Sequence, residues 1–418
     1  MISVYALANS ASSTQSSSKR SLSERSNSSM NGVTVPVCSY GKANSLLWLL
    51  AWTISPTLVL VAVRVLALTP NLYGVSPGQR SSIELWDKVL RPAGIFVDHS
   101  PFETERLRRV IYSRGQYPRK TSELARAYGR RLRSLKVVDD YDAVLVYREA
   151  ALVGPELVER LAARRKPLIY QLDDPLYVPY RSPWSGWFSY LKFFGKVGRI
   201  AAMSKVVIVN SSHHRDYVSR VNSNVWQIPS VVDADVYEPR PRAAPDGEVC
   251  VGWSGSATTV QNLQVIAAPL REVARRADVR IQLVGVETSP FPDLNITALP
   301  WRAETEVDDL RKLDIGLLPA PVSEWNKRKF YMKLVQYMAL GIPAVCSPLG
   351  SNPEVVEQGR TGFLADTREE WVSALLRLIS DPELRAAMSE RAAEIAHERY
   401  TLQANAEKIV SAFRAAMT

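Results

Sequence analysis

Short apolar runs alternate with amphipathic helical segments along most of this 418-residue chain, and this alternation restricts the fold more than any other feature. The first example follows Arg64, where an apolar run leads into a loop with glycine and proline and then into a helical pattern that ends near Gly94. The pattern returns in DAVLVYREA, KPLIYQLDDP and KVVIVNSSHHRDYVSRV. Because apolar strands that alternate with helices are typical of parallel sheets covered on both faces, the sequence predicts a doubly wound α/β fold.

The alternation is interrupted by YEPRPRAAPDGE at 237–248, a polar stretch with several prolines and arginines. Such stretches are typical of domain boundaries, so we predict a linker here between two Rossmann-like domains at 64–236 and 249–398. The last part of the chain has a helical pattern without strands. We expect a closing helix at 399–418 that packs back on the first domain.

The N-terminal residues differ from the rest in composition. Residues 1–42 are rich in Ser and Asn, lack the apolar content needed for a core, and are predicted to be a disordered tail. Residues 43–63 carry no charge and are long enough to span a bilayer. Three interpretations stay open: a membrane-associated segment, an apolar leader that runs into the first strand, and a reading frame that starts too far upstream. No small-residue cleavage site follows, which argues against a removable signal peptide.

Composition excludes several classes of protein. An apolar fraction of 46% with 22% charged residues is that of a globular protein and excludes disorder of the whole chain. The three cysteines have no CxxC spacing, which fits a reducing compartment and indicates neither a disulfide framework nor a zinc site. The net charge of +10 belongs to the N-terminal third, where residues 1–136 hold 19 Lys and Arg against 7 Asp and Glu.

The stretch FYMKLVQYMALGIPAVCSPLGSNPEVVEQGRTGFL at 330–364 has the pattern of a helix, a strand, a glycine loop and a second helix. Gly341 suits the left-handed position after the first helix, whereas Gly350, Asn352 and Pro353 favour a tight loop and a capped helix start. A helix N-terminus at the carboxyl end of a parallel strand is expected to offer free backbone N–H groups and the positive end of a helix dipole, which favour phosphate. A solvated basic turn is the alternative explanation for the cations nearby. These cations are Lys327, Arg328, Lys329 and Lys333.

The segment 333–364 resembles the donor-site motif of family 4 retaining glycosyltransferases of the GT-B fold, whose usual form is E-A-M-A-x-G-x-P-V-V-x-S-x-x-G-x-x-E-V-V-x-x-G-x-x-G-x-L. The resemblance extends outward over most of the chain from Arg64. RVLALTPNLYGVSPGQR and VWQIPSVVDADVYEP are similar to the N-terminal domain of a bacterial branch of this family, and VGWSGSATTVQNL and IQLVGV are similar to its C-terminal domain.

The resemblance implies two Rossmann-like domains that face each other across a cleft. It also implies a nucleoside-diphosphate sugar held mainly by the second domain and an acceptor bound mainly by the first. The donor-binding residues expected on these grounds are Gly255, Ser256, Lys329, Lys333, Gln336, Gly350, Ser351 and Asn352.

The chain departs from the family pattern at three places. Gln336 stands where the family has a glutamate that binds the nucleotide ribose, and its amide can still bond hydroxyls. Arg328 stands where the family has a glutamate linked to the donor sugar, which leaves that role unfilled. The usual Arg and Lys after the first strand of the second domain are absent from GSATTVQN. Because the bacterial branch has lysines where this chain has Lys329 and Lys333, the resemblance implies that these two replace the missing diphosphate contacts.

Glycines and polar residues also follow the apolar strands of the first domain, where they would line a cleft. Turn chemistry, helix capping or surface pairing explains any one of them alone. The expected cleft residues are Gly74, Gly78, Arg80, Arg148 and Asn210. The catalytic candidates are Glu149, Asp173 and Asp174, and no catalytic base is assigned among them.

Two pairs of acids, DYD at 140–142 and DAD at 233–235, have the spacing of a metal motif. The first precedes a strand and the second has the pattern of a turn, so we attribute both to chance and expect neither an obligate metal nor another cofactor. His213 and His214 begin a helical pattern and are predicted to lie at the surface.

The segment 105–136 holds 11 basic residues against 2 acidic ones and is amphipathic in part. Such a face suits an anionic membrane surface. Nucleic acid is the rival partner, but neither an aromatic stacking platform nor a recognition helix accompanies the charge, so we expect no nucleic acid. A solvated basic helix is the remaining alternative.

Together these features predict a cytoplasmic GT-B glycosyltransferase at the inner face of the membrane. It would move a sugar from a nucleoside-diphosphate donor to a lipid-linked, polysaccharide or other glycan acceptor. Arg328 and Gln336 leave a non-catalytic GT-B protein open, one that binds sugar nucleotides or assists an assembly. A GT-B sugar-nucleotide epimerase is the second alternative.

Overall fold

The computed structural model describes residues 62–113, 115–180, 186–239, 248–256 and 258–418. Within these residues the chain forms two six-stranded sheets, and every strand pair in them is parallel. The predicted α/β fold of two Rossmann-like domains is confirmed.

Several sequence predictions lie outside the described residues. They are the Ser-rich tail at 1–42, almost all of the apolar segment at 43–63 and most of the linker at 237–248. In the part of the chain that the structure describes, no helix combines the length and the apolar character needed to cross a membrane.

The first sheet is built on short strands whose β-branched and leucine side chains are buried on both faces. Its spatial order is β2-β1-β3-β4-β5-β6, so the chain changes direction across the sheet between β1 and β3. The strands are β1 (Val63–Thr69), β2 (Ile95–Pro101), β3 (Ala143–Tyr147), β4 (Leu168–Leu172), β5 (Val206–Val209) and β6 (Val225–Gln227).

The second sheet has the spatial order β12-β11-β10-β7-β8-β9, which is the strand order of a Rossmann fold. Its change of direction lies between β7 and β10. The strands are β7 (Val249–Ser254), β8 (Val279–Val284), β9 (Ile296–Leu299), β10 (Ile315–Leu318), β11 (Ala344–Cys346) and β12 (Gly362–Leu364).

Helices cover both faces of the first sheet, and side-chain caps fix two of their starts. Thr104 accepts a hydrogen bond from the Leu107 N–H, and Ser211 accepts one from the His214 N–H. The helices are α1 (Pro77–Gln79), α2 (Asp87–Leu90), α3 (Glu105–Ile111), α4 (Tyr117–Ser134), α5 (Leu157–Ala163), α6 (Lys196–Met203) and α7 (Ser212–Val218). A π-helical turn at Arg80–Glu84 and 3₁₀ turns at Leu135–Asp140 and Gly186–Lys192 complete the set.

The helices that follow β7 in the chain are longer towards the C-terminus. A reciprocal capping box between Thr367 and Glu370 begins one of them. The helices are α8 (Ala267–Arg276), α9 (Glu306–Arg311), α10 (Met332–Ala339), α11 (Asn352–Val355), α12 (Arg368–Ser380), α13 (Pro382–Arg399) and α14 (Leu402–Arg414). The 3₁₀ turns are Val260–Ile266 and Asn326–Arg328.

The last helix, α14, belongs to the core of the first domain although it follows the second in sequence. Its side chains Ile409 and Phe413 are fully buried in one hydrophobic cluster with strands β1 and β3. Phe413 meets Trp86 edge to face, with ring centroids 6.3 Å apart. The chain therefore crosses back to the first sheet after completing the second.

Candidate functional site

A buried ion pair lies beside the switch point of the first sheet, at the carboxyl ends of β3 and β4. Arg148, directly after β3, places its Nε 2.5 Å from Asp173 Oδ1 and its Nη2 2.8 Å from Asp174 Oδ2. The Tyr147 hydroxyl donates to Asp173 Oδ2 at 2.7 Å. Burial would raise the pKa of the Asp174 carboxyl, but the charges of Arg148 and Lys329 lower it below its usual value. The predicted strand-end residues Arg148, Asp173 and Asp174 are thus brought together, with Asp174 ionised.

The backbone around this pair is unusual. Arg148 has φ = +61°, a left-handed conformation that non-glycine residues seldom adopt, and two hydrogen bonds hold it there. Its N–H donates to the Gln171 carbonyl at 2.8 Å, and the Tyr170 hydroxyl donates to its carbonyl at 2.9 Å. Gly78 packs against the guanidinium so closely that a Cβ there would overlap Arg148 Nη2. The glycine, which lies inside α1, therefore serves a close approach of the backbone to the guanidinium.

Asn210 and His214 extend this network into α7. The Asn210 Nδ2 donates to the Asp173 carbonyl at 3.1 Å, and His214 Nδ1 lies 2.9 Å from Asn210 Oδ1. His214 is completely buried, and its Nε2 has no hydrogen-bond partner among the described residues. The prediction that His214 lies at the surface is therefore wrong. Burial lowers the pKa of His214 to about 3, so the ring is neutral at pH 7.

Glu149, a catalytic candidate, is held away from this network. Lys192 Nζ lies 3.2 Å from one of its oxygens and Lys196 Nζ 2.9 Å from the other. Burial would raise the pKa of Glu149, but the two ammonium groups lower it to about 2. A carboxylate with such a pKa is a weak proton acceptor, so the geometry favours a structural ion pair over a catalytic base.

The glycines at the start of the first domain's cleft loop have different environments. The Gly74 N–H donates to both oxygens of Glu84 at 3.0 Å, so it is already occupied. Gly74 has φ = +75°, which explains the glycine there. Gly78, as described, packs against Arg148, and Arg80 follows it into the cleft.

In the second domain, the Gly350 loop packs against the backbone before α10. Gly350 has φ = +60°, and a Cβ there would lie 2.9 Å from the Asn326 carbonyl oxygen. The Ser351 N–H donates to the Lys329 carbonyl at 3.1 Å, and the Asn352 N–H donates to the Leu349 carbonyl at 3.2 Å. The helix that follows, α11, has only four residues. The expectation of a helix start with several free N–H groups therefore needs correction, because two of these groups already have carbonyl partners.

Gly255 and Ser256 follow β7 at the switch point of the second sheet. The Ser256 N–H donates to Thr259 Oγ1 at 2.9 Å, and its hydroxyl lies 2.8 Å from Thr258 Oγ1. A Cβ on Gly255 would overlap the Trp253 ring. The two residues thus lie at the carboxyl end of β7, where the resemblance implied donor contacts, and the Ser256 N–H is engaged within its own loop.

The two predicted donor lysines have different surroundings. Lys329 is half-buried, has no carboxylate oxygen within 4.0 Å in the described chain, and lies over the Tyr331 ring at 6.0 Å from its centroid. Lys333 Nζ lies 3.6 Å from Glu306 Oε1. Arg328 is bound to Glu324, with Nη1 2.6 Å from Oε2. Lys329 is therefore the cation most available to an external anion.

Glu306, at the start of α9, is the residue that sequence reasoning missed. Its buried carboxylate contacts Arg80 Nη2 at 3.3 Å and Gln336 Nε2 at 3.4 Å. Gln336 also donates to the Tyr237 hydroxyl at 2.6 Å. The sequence held one signal that could have identified Glu306. The residue comes shortly after the apolar run of β9, and therefore lies at the carboxyl edge of a parallel sheet.

Contacts between the domains join the carboxyl edges of the two sheets. Ser212, after β5, donates to Glu354, and a ring nitrogen of His213 lies 3.3 Å from the Gly350 carbonyl oxygen. Arg80, between β1 and β2, reaches Glu306, after β9. All of these residues follow strand ends, so the two carboxyl edges face each other across the site.

The acidic pairs that resemble metal motifs have structural partners. Asp142 Oδ2 accepts a hydrogen bond from the Arg64 N–H at 2.8 Å. Asp233 is buried, pairs with Lys88 and accepts from Gln403 at 2.9 Å. Over the described ranges, no three His, Cys, Asp or Glu side chains are grouped as metal ligands.

The basic segment 105–136 forms α3 and α4, and its cations are not all on the surface. Arg131 is buried and donates to the carbonyls of Thr69, Ser100 and Ala150 at 2.8 to 2.9 Å. Burial lowers the pKa of Arg131 to about 9. Lys120 is also buried. Among the described residues of the segment, the exposed cations are Arg106, Arg109, Arg119, Arg126, Arg133 and Lys136.

Residues 248–381 match the family described as Glycosyl transferases group 1. The chain is 24% identical over 220 residues to the N-acetyl-alpha-D-glucosaminyl L-malate synthase of Bacillus anthracis, which covers 49% of this chain and 56% of that protein. It is 31% identical over 132 residues to a D-inositol 3-phosphate glycosyltransferase of Corynebacterium jeikeium, covering 31% of this chain and 30% of that protein. The chain thus spans about half, or less, of the length of these relatives.

Solved structures share this fold over most of the chain. The Anabaena HepE protein in complex with UDP and glucose superposes with a TM-score of 0.59 and 17% identity, over 84% of this chain and 99% of that one. Sucrose-phosphate synthase from Thermosynechococcus elongatus superposes with a TM-score of 0.63 and 14% identity, over 84% of this chain and 98% of that one. At these identities the likeness concerns the fold alone, and the fold is GT-B.

Proposed function

We propose that this chain is a retaining glycosyltransferase that moves a sugar from a nucleoside-diphosphate sugar to a lipid-linked, polysaccharide or other glycan acceptor. The observation that carries the proposal is the apposition of the two carboxyl edges through Arg80–Glu306 and His213–Gly350. Ligands of open α/β sheets bind at such edges, so a cleft between two of them suits a donor on one side and an acceptor on the other.

The donor belongs to the second domain in this proposal. Lys329 has its ammonium free of carboxylates in the described chain, and it lies close before α10. When a nucleoside diphosphate departs, negative charge develops on phosphate oxygens, and fixed cations lower the barrier. Lys333 and the Gly350 loop would add to this field. Gln336 would bond a ribose hydroxyl through its carbonyl oxygen, which is buried without a partner in the described structure.

The acceptor belongs to the first domain. Asp174 is ionised, half of its carboxylate is bound to Arg148, and it experiences the charge of Lys329 across the cleft. The Asp174 carboxylate would accept hydrogen bonds from the hydroxyl groups of an acceptor substrate. It is held rigidly, because Asn210 donates a hydrogen bond to the Asp173 carbonyl in the same loop. The relatives' names, a malate-linked synthase and inositol-phosphate glycosyltransferases, support a polar acceptor.

Turnover of radiolabelled nucleoside-diphosphate sugars with a membrane extract tests the proposal. We expect label in an acceptor fraction only when the extract is present. Binding without turnover would support a non-catalytic sugar-nucleotide protein instead. Isomerised sugar nucleotide without any acceptor would support an epimerase.

We also propose that the chain lies in the cytoplasm at the inner face of the membrane and that residues 105–136 bind this surface. The exposed cations of α3 and α4 would attract anionic headgroups, at about 1 kcal/mol for each cation near the surface. We expect the chain to sediment with vesicles that contain phosphatidylglycerol and to stay in solution with neutral ones. Replacement of Arg106, Arg109 and Arg119 by Ser should weaken this sedimentation, and unchanged sedimentation would exclude the α3–α4 face.

A further inference from the structure

Glu306 collects polar donors from both domains around one buried carboxylate. Arg80 comes from the first domain, and Lys333 and Gln336 come from α10 of the second. Trp301 also donates a hydrogen bond to this carboxylate, and the Arg80 guanidinium lies 4.7 Å above the Trp301 ring. Burial would raise the pKa of Glu306, but Lys333 leads the contacts that lower it, so the carboxylate is ionised at pH 7.

A carboxylate has about four acceptor sites, and Arg80, Gln336 and Trp301 occupy three of those on Glu306. Its Oε1 faces Gln336 Nε2 at 3.4 Å and Lys333 Nζ at 3.6 Å, and the second distance is too long for a hydrogen bond. Gln336 is only 6% exposed, and its Oε1 has no partner among the described residues. A buried carbonyl oxygen without a donor is costly unless a ligand supplies one.

Glu306 Oε1 and Gln336 Oε1 are therefore two neighbouring acceptors, because the amide that carries Gln336 Oε1 donates to Glu306 Oε1 through its nitrogen. Two acceptors on adjoining side chains suit two adjacent hydroxyl groups, which donate one proton each. The cations Arg80 and Lys333 beside them suit an anionic group attached to the same ligand. A ribose with a diphosphate combines these features.

We propose that Glu306 is the carboxylate that binds the ribose diol of the donor, together with Gln336 Oε1. This assignment rests on the proposed glycosyltransferase function and names the residue that recognises the donor's ribose. A ribose hydroxyl donates to Glu306 Oε1 on the side that Lys333 Nζ faces at 3.6 Å. The Lys333 ammonium then turns from Glu306 towards the diphosphate. The carboxylate expected in α10 is thus supplied by α9.

Titration calorimetry with ribose and deoxyribose ligands tests the assignment. The ligands are the nucleoside diphosphate that binds wild type most tightly in a panel of bases, and its 2′-deoxy and 3′-deoxy forms. Wild type should bind the ribose form about 10- to 100-fold more tightly than at least one deoxy form, as expected for a hydrogen bond to a charged group. Glu306→Gln should weaken the ribose form by about the same factor and leave that deoxy form unchanged.

Glu304→Gln is the matched control, since Glu304 is exposed in the same segment and should leave every affinity unchanged. If Glu306→Gln does not fold, Gln336→Met should remove discrimination at the other hydroxyl. An equal loss for ribose and deoxy forms would overturn the assignment. Tighter binding of the diphosphate to Glu306→Gln would also overturn it, because Glu306 would then be only a counter-anion for Lys333. If no nucleoside diphosphate binds wild type, both the assignment of Glu306 and the proposed function are wrong.

Discussion

At the scale of single residues, the sequence predicted which polar groups reach the cleft better than it predicted their partners. Arg148, Asp173 and Asp174 were expected at strand ends and do meet there. Glu306 was missed and His214 was misplaced, because their burial depends on segments far away in sequence. Periodicity reports on a residue's own element, whereas burial of a side chain also depends on how that element packs against others.

His214 gives a pH dependence to stability. The unfolded chain protonates this ring near pH 6.5, whereas the folded chain keeps it neutral down to about pH 3 because it is buried. Between these pH values the unfolded state binds one more proton, so stability falls as pH falls, by about 1.4 kcal/mol per pH unit.

Urea unfolding of wild type and His214→Phe between pH 5 and 7.5 measures this contribution. We expect the difference in unfolding free energy between the two to shrink steadily below about pH 6.5. His213→Phe is the control, because His213 is only half-buried at the surface of the same helix. A pH-independent difference would contradict the burial of a neutral His214.

At the scale of elements, helices and strands followed their sequence patterns, and loops did not. The closing helix was expected at 399–418, and α14 at Leu402–Arg414 packs in the first domain's core. The Gly350 loop was expected to offer several free N–H groups. Its Ser351 N–H is bound to the Lys329 carbonyl, and such backbone contacts between loops leave no trace in the side-chain pattern.

The packing of α14 predicts a large effect from a single truncation. Phe413→Ala removes a fully buried ring that contacts Trp86, so we expect a loss of about 3 to 5 kcal/mol in the free energy of unfolding. Leu132→Ala, at an exposed position of α4, should change it by less than about 0.5 kcal/mol. Chemical denaturation measures both. Similar effects for the two variants would show that α14 does not belong to the first core.

At the scale of the whole molecule, the alternation of strands and helices sufficed to predict two doubly wound domains. It did not predict which edges meet, because the pairing of Arg80 with Glu306 and of His213 with Gly350 requires both domains in place. The resemblance of 333–364 to a donor-site motif implied that the two domains face each other across a cleft, and the contacts between the two carboxyl edges agree with that arrangement.

The central claim is that this cleft binds a nucleoside diphosphate through the lysines at the start of α10. Titration calorimetry of wild type and of the Lys329→Ala, Lys333→Ala double variant with a panel of nucleoside diphosphates tests it most directly. We predict that at least one diphosphate binds wild type and that the double variant binds it at least about 10-fold more weakly, as two lost charge contacts require. Equal affinities for the two proteins, or no binding to wild type, would contradict the claim.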